Sequence, residues 1–268
     1  MSSAIHVFRL RCLSARIRAD LYSDAITSRP DQSAYNTRAK QFHTELDNWI
    51  ASVPPIPHRT GTALSVFPSS DWYELSYSES IILLHRGRLT GSEDAQDSVF
   101  MECVRAAENI CNGCRRQYIG KPVNYTWGTL HTLFMAGLTY LHCVWASPTV
   151  RQTVRYDDMS STFTTCTMLL AIMADRWEGA GPYRDLFEAL ASRALTMVVD
   201  ETRKEQMAPA PTPSEGLDEG DLARWISEVT DMGMSDGLEG ILSGLIVQGD
   251  PGTHWRRIGE GLHDLMGM

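Results

Sequence analysis

Residues Asn124–Trp145, NYTWGTLHTLFMAGLTYLHCVW, decide the fold class of this 268-residue chain. Trp127, His131, Phe134, Leu138, Leu141 and Trp145 recur at steps of three or four, so one stripe of an α-helix carries most of the large side chains. A stripe that wide requires other helices to cover it. Downstream, Ala174–Leu190 reads ADRWEGAGPYRDLFEAL, with Leu186, Phe187 and Leu190 on its apolar side and Arg184 one turn before Glu188. That is the pattern of a surface helix in a bundle.

Working outward, helix follows helix. Residues 5–24 place Leu10, Leu13, Ile17 and Leu21 on one side and arginines at 9, 11, 16 and 18 on much of the rest. Ser33 is a candidate cap for a second helix whose face is Phe42, Leu46 and Trp49 or Ile50, ending at Pro54-Pro55. Asp71 is a candidate cap for a third, containing Trp72, Leu75, Leu83 and Leu84. A fourth runs from about Asp97 to Tyr118, the Trp127 stripe is the fifth, and the sixth and seventh span about 158–177 and 182–200. No alternating strand of useful length interrupts them, so the expected fold is all-α, an irregular helical bundle with seven main helices in residues 1–200.

Glu201–Asp221 changes texture, with prolines at 209, 211 and 213 among many charges. Such a stretch buries too little apolar area to offset its ordering entropy, so residues 201–220 are expected to be a mobile linker. Residues 221–268 read as a helical tail in which Trp255, Ile258, Leu262 and Leu265 form a stripe that docks on the bundle.

Composition excludes several functions. Lys plus Arg total 24 against 33 Asp plus Glu, a net charge of −9, whereas nucleic acid is bound through clustered cations. No direct DNA binding by this chain is expected. Arginines at 9 and 11 break the apolar core that a signal peptide needs, and no stretch approaches a membrane span. The expected setting is intracellular, in nucleus or cytoplasm. Six scattered cysteines sit mostly at apolar helical positions. Cys111-Asn-Gly-Cys114 has the spacing of a redox pair or of half a zinc site, yet no second closely spaced Cys/His couple completes a zinc site. Cys103, Ala107, Ile110 and Cys114 share one helical face, so the pair reads as packing, with no metal and no cofactor expected.

The residues then resemble a family. HVFRLRCLSARIRADLY (6–22), Leu46/Trp49/Pro54, Leu83-Leu84-His85-Arg86, CVRAAENI (103–110), Trp127–Trp145 and Ala174–Leu190 look like the later half of the fungal-specific transcription factor domain, the middle homology region of zinc binuclear-cluster regulators. The resemblance covers roughly residues 5–200. It implies an all-α regulatory domain that answers to metabolites or partner proteins and modulates a separate DNA-binding head. Two departures stand out: the family's six-cysteine zinc cluster has no counterpart here, and Gly87 stands where the family usually has proline. The chain is thus either a piece of a longer protein or a standalone headless one, and the Met-Ser-Ser start leans toward the second.

The function expected from this reading is a regulatory or ligand-binding module linked to secondary metabolism. Its partner would be a hydrophobic small molecule or a regulatory protein. The ligand-binding candidates are Trp127, His131, Phe134, Leu138, His142 and Trp145. The alternative is a repurposed cofactor-free cyclase, isomerase or dehydratase, with His131 and His142 as catalytic candidates. No nucleophile elbow, phosphate loop or zincin motif supports it. Those histidines stand roughly 16 Å apart along a helix and cannot share one metal, whereas they can line one elongated cavity. The densest charged cluster, Asp175, Arg176, Arg184, Asp185 and Glu188 with Tyr183, reads as ion pairing around a turn. His85-Arg86 reads as a helix anchor. Finally, an apolar first helix left uncovered would be covered by a second copy, giving a homodimer through Val7, Leu10, Leu13 or Ile17.

Overall fold

A computed structural model describes residues 3–22, 32–55, 69–89, 97–118 and 126–206. Among them lie eight α-helices, one 3₁₀ turn and no strand. The helices are α1 (Ser3–Tyr22), α2 (Gln32–Ala51), α3 (Ser70–Leu89), α4 (Asp97–Tyr118), α5 (Trp127–Ala146), α6 (Pro148–Thr153), α7 (Tyr156–Arg176) and α8 (Gly181–Gln206). The seven long helices are those expected from the sequence; α6 is an added turn and a half. The all-α bundle therefore stands.

Packing follows chain order. α1 lies on α2, α2 on α3, α3 on α4 and α4 on α5, while α7 and α8 close the far side. α5 is the hub, touching α3, α4, α6, α7 and α8, which is why all of its residues from Leu133 to Val144 are buried. Gly137 lets α8 approach: a Cβ there would stand 2.6 Å from Phe187 Cε2 and 2.7 Å from Cys166 Sγ. Thr126 starts α5 by accepting the Thr129 N–H at 3.2 Å. Ser147 ends it, donating its N–H to the Cys143 carbonyl, and its hydroxyl then accepts the Val150 N–H to start α6 with Pro148 in the first turn.

Some local expectations change. Ser69, not Asp71, caps α3, its hydroxyl accepting the Trp72 N–H at 3.1 Å; Asp71 sits inside the first turn. α2 begins at Gln32, one residue before the expected cap Ser33. α8 continues to Gln206, so the first six residues of the expected linker are helical. The rest of that linker and the 221–268 tail lie outside the described residues. Arg184 pairs with its neighbour Asp185, at 2.6 Å through Nη2 and 2.7 Å through Nε, which takes up the guanidinium one residue along instead of one turn along.

The first helix also corrects an expectation. His6, Leu10, Leu13, Ile17 and Leu21 are all buried, and Val7 is half-buried, because α2 and α3 cover this face within the chain. Trp49 seals the junction: its indole stacks on His6 at 4.8 Å and its N–H donates to the His6 carbonyl. Leu10, Leu13 and Ile17 are thus not free to form a two-fold interface. The large apolar residues α1 turns outward are Ile5 and Phe8, 53% and 71% exposed.

Candidate functional site

The expected α5 candidates do not converge on one cavity. Phe134 and Leu138 are fully buried, Trp127 is 38% exposed, and His131 and Trp145 are half-buried. Trp127 and Phe134 meet Tyr183 edge-on at 5.8 and 5.0 Å, facing the start of α8. His142 faces the other way: its ring lies near Phe100, and its Nε2–H donates to the Leu89 carbonyl at 2.8 Å. Burial holds His142 below the usual histidine range, so it is a neutral core residue at the end of α3. A surface depression of about 420 Å³ lies elsewhere, between Arg115 of α4 and the Asp157, Ser160, Ser161, Thr164 and Met168 row of α7.

The cysteines pack. Cys103, Cys111, Cys114, Cys143 and Cys166 are buried and free, and burial pushes the Cys114 thiol up to about 12. Cys166 is also pushed well up by burial, next to Cys111, and Cys143 likewise next to Cys103. Thiols held protonated in this way are poor nucleophiles.

The densest polar arrangement is one that local spacing does not reveal. α2, α3 and α4 each contribute one side chain to it: His43, His85 and Glu102. Each follows from its helix's apolar face. On α2, Ala39, Phe42, Leu46 and Trp49 are buried, and His43 lies beside that stripe, half-exposed. On α3, His85 closes the buried run from Ile81, only 5% exposed. On α4, Glu102 precedes buried Cys103 at the edge facing both histidines.

Glu102 directs one oxygen at each ring. Its Oε1 forms a short hydrogen bond with His43 Nε2, and its Oε2 lies 3.0 Å from His85 Nε2. The second contact is close but out of line for a good hydrogen bond, and His85 Nδ1 likewise has no partner among the described residues. His43 Nδ1 lies 3.1 Å from Asp47 Oδ2, one turn along α2, and Asp47 Oδ1 accepts the Tyr77 hydroxyl at 2.6 Å. The result is a chain, Tyr77–Asp47–His43–Glu102–His85, across three helices. The donor atoms of His43, His85 and Glu102 all lie within 4.8 Å of one another.

Electrostatics follow the geometry. Burial alone would raise Glu102, but the His43 hydrogen bond and the nearby charge of the two histidines win and hold its carboxyl at about 2. The Glu102 hydrogen bond raises His43 above the usual histidine range, against partial burial, with Asp47 adding to the effect. Both ring nitrogens of His43 thus face carboxylates, a pairing that favours its protonated form. The histidine and the glutamate stand 59 positions apart, so sequence reasoning missed them; the only local signal is the His43–Asp47 spacing of one turn.

Among the described residues, no helix is long and apolar enough to cross a membrane. No family model matches the chain, and no solved structure matches it. Two relatives do. A protein of Emericella nidulans named "Positive regulator of purine utilization" is 24% identical over 242 residues, covering 75% of this chain and 22% of its own length. A Saccharomyces cerevisiae protein named "Uncharacterized transcriptional regulatory protein YLR278C" is 26% identical over 123 residues, covering 39% of this chain and 9% of its own length. The chain thus spans about a fifth of the first relative and under a tenth of the second. Together with the all-α fold, these similarities support a relationship between this chain and fungal transcriptional regulators.

Proposed function

We propose that this chain is a helical regulatory module of the fungal transcription factor type, working in the nucleus or cytoplasm through a hydrophobic metabolite or a regulatory protein and not by contacting DNA itself. The observation that carries the reading is the match over 75% of the chain to a protein named as a positive regulator, within a fold made of helices alone. The net charge of −9 supports the exclusion of phosphate-backbone contact. Secondary metabolism is the proposed setting, and self-association through the outward Ile5 and Phe8 face of α1 the proposed assembly.

The test is a reporter assay in a fungal host with the full chain fused to an unrelated DNA-binding domain. The expected result is transcription that changes several-fold when candidate metabolites are fed. A fusion that leaves the reporter at its vector level under every condition, while the purified chain turns over one of those metabolites, would replace this reading with the enzymatic one.

A further inference from the structure

The geometry points to a divalent zinc-class metal site formed by His43 Nε2, His85 Nε2 and a Glu102 carboxylate oxygen. This rests on the three-helix geometry alone and is independent of the regulatory reading. Two imidazoles and one carboxylate are a ligand set for zinc, which binds nitrogen and carboxylate oxygen at about 2.0–2.2 Å and leaves a fourth position for water. All three donor atoms lie within 4.8 Å of one another, a spread that one ion can span after small side-chain rotations. His43 and Glu102 are 30% and 33% exposed, which opens the fourth position to solvent and gives an ion its entry path.

Two observations favour a cation over a purely structural ion pair. His85 is 5% exposed, and its Nε2 lies 3.0 Å from a carboxylate oxygen without being aligned to donate to it. The two atoms stand close together without a hydrogen bond between them, which leaves both able to take one ion as a shared partner. His43 is already oriented from behind: Asp47 faces its Nδ1 and accepts the Tyr77 hydroxyl, which keeps Nε2 turned toward Glu102. Carboxylate–histidine pairs of this kind are the usual outer support of metal-binding imidazoles.

Zinc chloride titrated into the full chain, freed of metal by a chelator and kept reduced, tests this by calorimetry. One zinc per chain is expected at micromolar affinity or tighter, and the thermal midpoint should rise with zinc concentration. E102Q and H43Q should each weaken binding at least 100-fold, and D47N about 10–100-fold. Both His43 and Glu102 are partly exposed, so these variants are expected to keep the wild-type helical circular dichroism even if H85Q does not fold. Cobalt should give visible absorption without a thiolate charge-transfer band, unchanged in the C111S/C114S double variant. Absence of saturable binding overturns the site. Wild-type affinity in H43Q and E102Q also overturns it, as does loss of binding in C111S/C114S alone, which would move the metal to the cysteines.

Discussion

Tyr22 at the end of α1 and Gly87 in the last turn of α3 form a side-chain bridge within a helix. The Gly87 N–H donates to the Tyr22 hydroxyl at 3.2 Å, and that hydroxyl donates to the Leu83 carbonyl at 2.8 Å. Leu83 and Gly87 are the groups a regular helical turn pairs directly, and the phenol oxygen bonds to both. Arg86 lies 4.6 Å above the same ring. The position where the resembling family usually has proline thus keeps its N–H here and uses it. A Cβ at residue 87 would stand 2.7 Å from Tyr22 Cε1. Gly87→Ala should therefore destabilise by about 1–3 kcal/mol through overpacking, despite the roughly 1 kcal/mol helix-propensity gain, as read by urea denaturation. A midpoint above wild type would show that the ring moves aside freely.

Arg151 of α6 ties three elements together. Its Nη1 donates to the Val144 and Trp145 carbonyls at the end of α5, at 2.9 and 2.8 Å, and its Nε pairs with Glu201 of α8 at 2.7 Å. The guanidinium satisfies carbonyls that the helix end leaves open. Arg151→Met should cost about 1.5–3 kcal/mol in chemical denaturation, because charged hydrogen bonds are lost and half-buried carbonyls left bare. Glu201→Gln should cost under about 1 kcal/mol, since that carboxylate is 45% exposed.

His142 makes stability depend on pH with a defined sign. Burial lowers its pKa from the ordinary 6.5, so the folded chain refuses a proton that the unfolded chain accepts. Its contribution is fully present above about pH 6.5 and declines as the pH falls below that value. His6, also lowered by burial, acts in the same direction. The urea midpoint should fall between pH 6.5 and 5, and His142→Gln, which keeps a donor for the Leu89 carbonyl, should make the slope shallower. An unchanged slope would assign the effect to His6.

The two faces of α1 should respond differently. Leu13, 6% exposed under α2 and α3, should cost about 2–5 kcal/mol as Leu13→Ala, without reporting on assembly. Phe8→Ser, at a position 71% exposed, should change stability by no more than about 0.5 kcal/mol and, at tens of micromolar in light scattering, convert a dimer to monomer. A wild-type chain that scatters as a 29.9 kDa monomer would remove the dimer.

Spacing along the chain was enough to place the seven long helices and most of their buried faces. The reason is that a period of 3.6 residues maps identity onto direction: Leu10, Leu13, Ile17 and Leu21 had to share a side, and so did Cys103, Ala107, Ile110 and Cys114. The family resemblance marked Gly87 as a departure without showing its partner. What spacing cannot encode is which helix faces which, at what level and through which atoms. His142 points to Leu89 and Phe134 to Tyr183 because α5 has neighbours on several sides, and a stripe on one helix is not one wall of a cavity. The His43–Glu102–His85 cluster, the Tyr22 bridge and the closure of α1 under α2 and α3 arise only when segments far apart in the chain meet. Their positions are set by ridge-into-groove packing between helices, and no short window of sequence contains both partners.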